Sequence, residues 1–169
     1  PERTERMTSF RDPWSVRNEG GYQLIQSMTA YAQGKVWGKG PGAGEQKLYY
    51  LPDAHTDFIF AVWGEEMGLI GTLSVVALYV ALLAVALRIA LNARELFGSL
   101  LAGGIVCLVV TQAAVNMAVT MGLMPTKGLP LPFISWGGSA LIVFMVLMGI
   151  LVSVGLQAVE PSRRQSRTA

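Results

Sequence analysis

The sequence predicts an all-α membrane protein, and its composition and three long apolar runs carry that prediction. Hydrophobic residues make up 52% of the 169 residues and charged residues only 14%, against about 25% charged residues in soluble domains. Three uncharged runs, Met67 to Leu87, Phe97 to Met124 and Leu129 to Val159, are long enough to cross a membrane. About 20 apolar residues rising 1.5 Å each cross a hydrocarbon core of roughly 30 Å. Because backbone groups find no water in lipid, each span should be helical.

These runs divide the chain into three predicted regions. We expect residues 1–60 to form a large extracytoplasmic loop with short helices, and residues 160–169 to form a cytoplasmic tail. Between them we expect a helical bundle with transmembrane helices at about 67–91, 97–123 and 134–158. Since the chain starts at Pro1 with a polar stretch, we expect it to be a fragment of a longer polytopic protein.

The arginines predict the orientation of these spans. Spans joined by short loops alternate in direction, so the hairpin at 88–95 should share a side with the tail. The other short loop carries only Lys127, whereas the side of the hairpin carries Arg88, Arg94, Arg163, Arg164 and Arg167. The positive-inside rule therefore places the arginine side in the cytoplasm. The first 60 residues then lie outside despite their own basic residues, because long segments translocate largely regardless of charge.

The segment before the first span combines an amphipathic pattern with a glycine-rich one. In "GYQLIQSMTAYA", Leu24, Met28 and Tyr31 recur at helical spacing, which predicts an amphipathic helix lying against the membrane or the bundle. "GKVWGKGPGAGEQK" has glycine at positions 38, 40, 42 and 44, which indicates a loop. This loop lacks the GK[ST] ending that is typical of a phosphate-binding loop.

Charge and residue counts exclude several kinds of function. The formal net charge of +2 is too small to indicate a nucleic-acid partner. Cys107 is the single cysteine, so an internal disulfide and a cysteine-based metal cluster are excluded. His55 is the single histidine, and its nearest acidic neighbours stand two residues away on either side. No Ser-His-Asp arrangement can therefore be derived from the sequence.

The stretch "YLPDAHTDFIFAVWGEE" places four carboxylates and the histidine at the outer end of the first span. Asp57 is followed directly by "FIF", and an aspartate beside an apolar wall is partly desolvated, which suits a general base. The alternative is a helix N-cap formed by Asp57 or Thr56. Glu65, eight residues on, would share a helix face with Asp57 if the helix already runs there. Glu65 and Glu66 are otherwise interpreted as structural or interfacial charges.

Asp53, His55 and Asp57 form a short pattern with possible metal-binding chemistry. In an extended segment all three side chains would lie on one face, where a divalent cation such as Mg²⁺ or Mn²⁺ is conceivable. The D-x-H-x-D spacing is not specific to metal sites, so Asp57 stays a candidate ligand only. No other cofactor is indicated by the sequence.

The second short loop, "MPTKGLPLPFISWGGS", surrounds Lys127 with prolines that stiffen the backbone. Gly137 and Gly138 allow close approach of the backbone before the third span. Lys127 is interpreted either as a clamp for phosphate or as a lysine that extends to lipid headgroups. Inside the second span, Gln112 and Asn116 lie on one face. Such side chains usually bond neighbouring helices, and a substrate channel is the alternative.

Three long motifs, "GYQLIQS", "QKLYYLPDAHTDFIFAVWGEEMGLIG" and "PTKGLPLPFISWGGSALI", together resemble the SEDS family of bacterial cell-wall proteins (shape, elongation, division and sporulation). The resemblance covers residues from about 10 to 159, and "SFRDPW" before "YQLIQS" is more similar to the division member than to the rod-shape member. Asp53 stands where the family usually has glutamate, which keeps the charge. "GPGAGEQK" replaces the family's "GLGxSxQK", which alters the loop.

The resemblance implies a ten-span peptidoglycan glycosyltransferase of the bacterial cytoplasmic membrane, of which this chain is the last three spans and the outer loop before them. It implies that the enzyme polymerises lipid II, an undecaprenyl-pyrophosphate disaccharide-pentapeptide, and that the essential loop aspartate of the family falls on Asp57. The implied partners are a class B penicillin-binding transpeptidase and other membrane proteins of the division machinery. We infer that substrate is bound by Lys127, His55, Thr56, Gln46, Lys47, Ser135, Gly137 and Gly138.

Three other functions remain open at this point. A lipid II flippase would depend more on Gln112 and Asn116 than on Asp57. A non-catalytic scaffold for the transpeptidase would need no catalytic aspartate at all. Within the family, an elongation polymerase would run the same chemistry on the side wall of the cell.

We expect Lys127→Ala in the full-length protein to slow the turnover of lipid II strongly, because a cation at this position would stabilise the departing pyrophosphate. The measurement is the rate of glycan synthesis from purified lipid II. An unchanged rate would assign Lys127 to lipid headgroups instead.

Overall fold

The computed structural model describes residues 19–44, 56–125 and 128–165, with side chains for 21–44, 56–125 and 128–158. These ranges contain four helices and no strand, which confirms the predicted all-α fold. The helices are α1 at Glu19–Gly34, α2 at Ile59–Asn92, α3 at Leu96–Thr120 and α4 at Gly138–Gln165.

Three of these helices are long and apolar enough to cross a membrane. They are Ile59–Asn92, Leu96–Thr120 and Gly138–Ala158, with mean hydropathies of 2.5, 1.9 and 2.6. All three predicted spans are thus present as helices. The division into an extracytoplasmic loop, a bundle and a cytoplasmic tail stays a prediction.

The bounds of the helices differ from those predicted, for identifiable reasons. α2 begins at Ile59 instead of 67, because Glu65 and Glu66 lie inside the helix although they interrupt the apolar run. α3 ends at Thr120 because Gly122, with φ of 73°, forms a C-terminal cap. In this cap the Leu123 amide bonds the Ala118 carbonyl at 2.8 Å. α4 begins at Gly138 instead of 134, since residues 131–135 form a turn.

The chain divides into two compact units. One consists of Pro1–Val76 with Gln112–Gly137, and the other of Ala77–Thr111 with Gly138–Ala169. The second unit has a core of small side chains and a few larger ones around them. Small residues allow helices to approach closely, as is typical of packing in membranes. The buried members of this core are Ala86, Ala90, Ala102, Val106 and Leu151.

In the first unit, α1 packs on the protein through a single face. Leu24, Ser27 and Ala30 are buried at intervals of three residues, whereas Met28 is 38% exposed and lies at the border of this face. The helix predicted for this segment is therefore confirmed. The ring of Tyr31 meets the ring of Phe60 edge to face, with centroids 6.1 Å apart, and this contact joins α1 to the start of α2.

α2 is broken at Gly68, whose φ of 66° and ψ of −160° are not helical. The indole nitrogen of Trp63 donates to the Gly71 carbonyl at 3.1 Å. A Cβ on Gly64 would stand 3.3 Å from Cγ2 of Thr72. In both pairs the residues are eight apart, and on a straight helix they would be about 12 Å apart along the axis. The segment of α2 before Gly68 therefore turns sharply towards the segment after it.

Residues 35–40, which we call the glycine loop, replace the helical hydrogen bonds that this break removes. In a continuous helix, the amides of Leu69 and Ile70 would bond the carbonyls of Glu65 and Glu66. Here all four groups bond the loop instead, so none is left unpaired by the break. The bonds are Lys39 N to Glu65 O and Gly40 N to Glu66 O, both 3.0 Å, Leu69 N to Lys35 O at 2.9 Å, and Ile70 N to Val36 O at 3.4 Å.

We expect Gly68→Ala to destabilise the protein by about 1–3 kcal/mol, the usual cost of a side chain in this backbone region. The added Cβ would also stand 2.4 Å from the Gly38 nitrogen and 2.6 Å from the Val36 oxygen. Thermal unfolding in detergent measures the effect. Gly103→Ala is the matched control, because its Cβ would meet nothing within 4 Å and alanine favours a helix. Equal melting temperatures for the two variants would contradict the strained role of Gly68.

Candidate functional site

Asp57 lies in the turn before α2, and a buried amide on α3 holds this turn in place. Nδ2 of Asn116 donates to the Asp57 carbonyl at 2.9 Å and to the Leu129 carbonyl at 2.6 Å. Asn116 is 2% exposed. Because both partners are acceptors, the nitrogen of the amide must face them. One side chain thus joins the turn that carries Asp57 to the loop before α4, which runs through residues 128–137.

Ser135 makes a second connection between the same two segments. Its hydroxyl donates to the Thr56 carbonyl and accepts the Leu131 amide at 2.7 Å. The sequence predicted Ser135 and Thr56 as substrate-binding residues, and the structure brings them together. Their contact fixes the backbone on the N-terminal side of Asp57. Whether either residue also binds substrate stays a prediction.

The carboxylate of Asp57 stands against Gly128. A Cβ on Gly128 would lie 2.9 Å from Oδ2 of Asp57, so any larger residue there would press on the carboxylate. Asp57 itself is half-buried. A carboxylate that is partly shielded and held on a fixed backbone can accept a proton from a bound hydroxyl, or supply one oxygen ligand to a cation.

The amide of Asn116 belongs to a polar stripe along α3. Gln112, Asn116 and Thr120 follow each other at intervals of four residues. Nε2 of Gln112 donates to the Pro130 carbonyl at 3.0 Å, and the Thr120 carbonyl accepts the hydroxyl of Ser27. At Thr120 it is the main chain that accepts, whereas the side chains of Gln112 and Asn116 bond other parts of the protein, as predicted. Their partners are carbonyls of loops, however, and not neighbouring membrane helices.

Tyr31 attaches α1 to the same stripe. Its hydroxyl lies 3.0 Å from Oγ1 of Thr120. Since Thr120 donates its own proton to the Met117 carbonyl at 2.9 Å, Tyr31 must be the donor. Burial raises the pKa of Tyr31 above the ordinary range of a phenol. Tyr31 therefore keeps its proton, and the hydrogen bond persists at any physiological pH.

Glu65 is fully buried and pairs with a lysine of the glycine loop. Nζ of Lys39 lies 3.0 Å from Oε1 of Glu65 and also donates to Oε1 of Gln33 at 2.6 Å. The interfacial interpretation of Glu65 is thus wrong, because this carboxylate has no contact with solvent. Asp57 precedes α2 and abuts Gly128, so the two carboxylates face different neighbours.

Of the other predicted site residues, only two glycines lie among the described residues. Gly138 opens α4, and a Cβ there would meet nothing within 4 Å. Gly137 precedes it in the linking segment. The remaining predictions fall outside the described residues, namely His55, Asp53, Gln46, Lys47 and Lys127. Among the described residues, no group of three or more His, Cys, Asp or Glu could hold a metal ion.

Sequence reasoning missed three residues that shape this site, Gly68, Lys39 and Gly128. The only signal for Gly68 was a glycine two residues after a pair of glutamates in an otherwise apolar run. Lys39 carried no signal, because its partner lies 26 positions away. Gly128 follows Lys127, yet nothing in the local pattern indicates that Asp57 lies beside it.

Residues 1–159 match the model of the family FTSW_RODA_SPOVE, described as "Cell cycle protein". The chain is also similar to curated proteins named "Probable peptidoglycan glycosyltransferase FtsW". With that of Geobacter sulfurreducens it shares 50% identity over 152 residues, which cover 90% of this chain and 41% of the relative. With that of Thioalkalivibrio sp. (strain K90mix) it shares 46% over 169 residues, covering 98% and 42%. The chain thus spans about two fifths of the length of these relatives.

Two solved structures have a similar fold. One, described as "Structural coordination of polymerization and crosslinking by a peptidoglycan synthase complex", matches with a TM-score of 0.76 and 30% identity, over 95% of this chain and 43% of that chain. The other is an aspartate-to-alanine mutant of the rod shape determining protein RodA of Thermus thermophilus. It matches with a TM-score of 0.59 and 37% identity, over 63% of this chain and 36% of that chain.

We expect Asn116→Leu to lower the stability of the protein by more than Gln112→Leu. The first change leaves two carbonyls without their donor and the second leaves one, at about 1–3 kcal/mol for each buried group. Thermal unfolding of both variants beside the parent measures the difference. A smaller shift for Asn116→Leu than for Gln112→Leu would contradict its role as the joint between the two segments.

Proposed function

We propose, since this chain belongs to the cell cycle protein family FTSW_RODA_SPOVE, that it is part of a peptidoglycan glycosyltransferase that polymerises lipid II into β-1,4-linked glycan during cell division. The observation that carries the proposal is the half-buried Asp57, whose main-chain carbonyl accepts a hydrogen bond from Asn116 and whose carboxylate faces Gly128. The names of the relatives support the reaction class. The proposal concerns a whole protein, because this chain spans only about two fifths of the length of its relatives.

The stereochemistry of the reaction defines what the site must do. In lipid II the donor sugar carries its pyrophosphate in the α configuration, whereas the product linkage is β-1,4. A single in-line displacement gives this inversion. The acceptor 4-hydroxyl attacks the anomeric carbon, its proton passes to a base, and the carbon–oxygen bond to pyrophosphate breaks with both electrons leaving on the pyrophosphate. One carboxylate suffices, because such a leaving group needs no protonating acid.

Asp57 is the base in this proposal. Its backbone is fixed on one side by Asn116 and on the other by the bond between Ser135 and the Thr56 carbonyl. Gly128 packs against one oxygen of this carboxylate, since a Cβ there would stand 2.9 Å from Oδ2, and in the proposal the other oxygen accepts the proton of the acceptor hydroxyl. A base positioned in this way contributes about 10²–10⁴-fold to the rate.

The departing pyrophosphate requires positive charge, for which Lys127 is the candidate within this chain. A divalent cation, Mg²⁺ or Mn²⁺, would supply further charge. Magnesium sites at phosphate groups usually take one or two carboxylates from the protein and the remaining ligands from phosphates and water. Asp57 fits as that single carboxylate, and the described residues offer no larger ligand group.

The orientation of the site follows from the arginines. With the hairpin Arg88–Glu95 in the cytoplasm, the turn that carries Asp57 faces the outer surface, where the sugar of lipid II is presented. The partner proposed for this surface is a class B penicillin-binding transpeptidase, together with other membrane proteins of the division machinery. Support comes from the similar structure, whose description couples polymerization with crosslinking in one complex.

A flippase and a scaffold are the competing functions, and an elongation polymerase is the competing role. The flippase was suggested by Gln112 and Asn116, but both amides bond carbonyls of the protein, which gives them a structural role. Reconstitution with purified lipid II separates the functions. A flippase forms no new glycosidic bond, and a scaffold supports cell growth without Asp57.

We expect Asp57→Ala and the isosteric Asp57→Asn to lower the rate of glycan synthesis by about 10²–10⁴-fold in the full-length protein, because both remove the base. Gel analysis of glycan chains made from lipid II measures the rate, and thermal unfolding checks the fold. Glu95→Gln, which removes an exposed carboxylate from the α2–α3 hairpin, is the control. Near-parent synthesis by either Asp57 variant would overturn the assignment.

A further inference from the structure

The short segment of α2 before the break, residues 59–67, has Asp57 directly before its first turn and Glu65 in its last turn. None of residues 56–68 is exposed, whereas exposed side chains begin at Leu69. The segment is therefore largely covered by protein, with one partly exposed face that contains Ile59, Trp63, Glu66 and Met67. A helix of this length is rigid and about 13 Å long, so a displacement at the Gly68 end moves the Asp57 end as well.

The glycine loop fixes the Gly68 end of this segment. Its backbone supplies the partners for the four groups that the break frees. If the loop opens, water molecules can replace these hydrogen bonds between main-chain groups. Beyond the glycine loop, Gly44 also lies close to the last turn of this segment. A Cβ on Gly44 would stand 3.1 Å from carboxylate oxygens of both Glu65 and Glu66.

The ion pair between Lys39 and Glu65 adds a constraint that water cannot replace. Glu65 is 0% exposed, and Lys39 contacts it at 3.0 Å. Withdrawal of the loop would leave a carboxylate buried without its cation, which is strongly unfavourable. Gln33 at the end of α1 binds the same ammonium group at 2.6 Å and orients it. Glu65 is a buried ionisable residue on a helix of membrane length, and such residues are more often functional than incidental.

We propose that Lys39 and Glu65 are positioning residues for Asp57. The ion pair holds the glycine loop in the break of α2, and thereby fixes the angle of the segment that presents Asp57 to the substrate. The inference rests on the proposed function, because it assigns a purpose to the position of Asp57. A displacement of about 1 Å at a reacting group can cost about 100-fold in rate, so even a small tilt of this segment would be measurable.

The test compares three variants of the full-length protein in detergent. Lys39→Met removes the cation and keeps the length of the side chain, whereas Lys39→Arg keeps the cation. Lys35→Met is the matched control, because it makes the same change in the same loop at an exposed side chain. For each variant we would measure kcat and KM for lipid II, thermal unfolding, and amide hydrogen exchange in peptides that cover residues 35–40 and 65–70.

We expect Lys39→Met to lower kcat at least tenfold, to change KM less than threefold, and to speed hydrogen exchange in both peptides at a temperature well below unfolding. Lys39→Arg should retain kcat within threefold, and Lys35→Met should match the parent in all measurements. A purely structural role would lower the melting temperature but leave kcat of the folded protein unchanged.

Two results would overturn the inference. Unchanged exchange in Lys39→Met would show that the ion pair does not hold the loop, and faster exchange with parental kcat would show that the loop does not position Asp57. Failure of the proposed function looks different, because then the parent itself makes no glycan, or makes as much as Asp57→Asn. Hydrogen exchange needs no activity and decides the role of the ion pair in that case as well.

Discussion

The amide of Asn116 is the constraint on which the candidate site depends. One buried nitrogen of α3 bonds both the Asp57 carbonyl and the Leu129 carbonyl. Buried carbonyls require donors, so the two chain segments must meet where this nitrogen stands. That meeting places the carboxylate of Asp57 against Gly128. The chemistry proposed for Asp57 therefore begins with a structural hydrogen bond on a neighbouring helix.

A second constraint acts at the opposite end of the segment that follows Asp57. At the break at Gly68, the glycine loop supplies four hydrogen bonds, to the carbonyls of Glu65 and Glu66 and to the amides of Leu69 and Ile70. The ion pair of the buried Glu65 with the partly exposed Lys39 accompanies these bonds. Residues 59–67 are thus held at both ends, and none of them is fully exposed. Such a segment can hold a catalytic group in a fixed position, although α2 is not a straight helix at that point.

The agreement between the sequence-based predictions and the structure differs from one element to the next. The three spans were predictable because membrane insertion depends on local hydropathy, which a run of apolar residues states directly. The helix of α1 followed from its spacing of apolar residues. The start of α2 was misplaced, because the span was taken to begin where the uncharged run begins, whereas the charged Glu65 lies inside the helix and pairs with Lys39. Asp57 was singled out by its neighbours and by resemblance, but its contacts with Asn116 and Gly128 could not be inferred from either.

The sequence by itself determined the helical class, the three membrane-length helices, the family resemblance and the candidate base, Asp57. These properties depend on composition and on residues close together in the chain. Only the tertiary structure decided the break of α2, the buried partner of Glu65 and the joint at Asn116. Each of these brings together groups that are far apart in the chain, such as Lys39 and Glu65, 26 positions apart, or Asp57 and Asn116, 59 positions apart. Such contacts form because buried polar groups must find partners, and a linear pattern does not state which partner folding brings within reach.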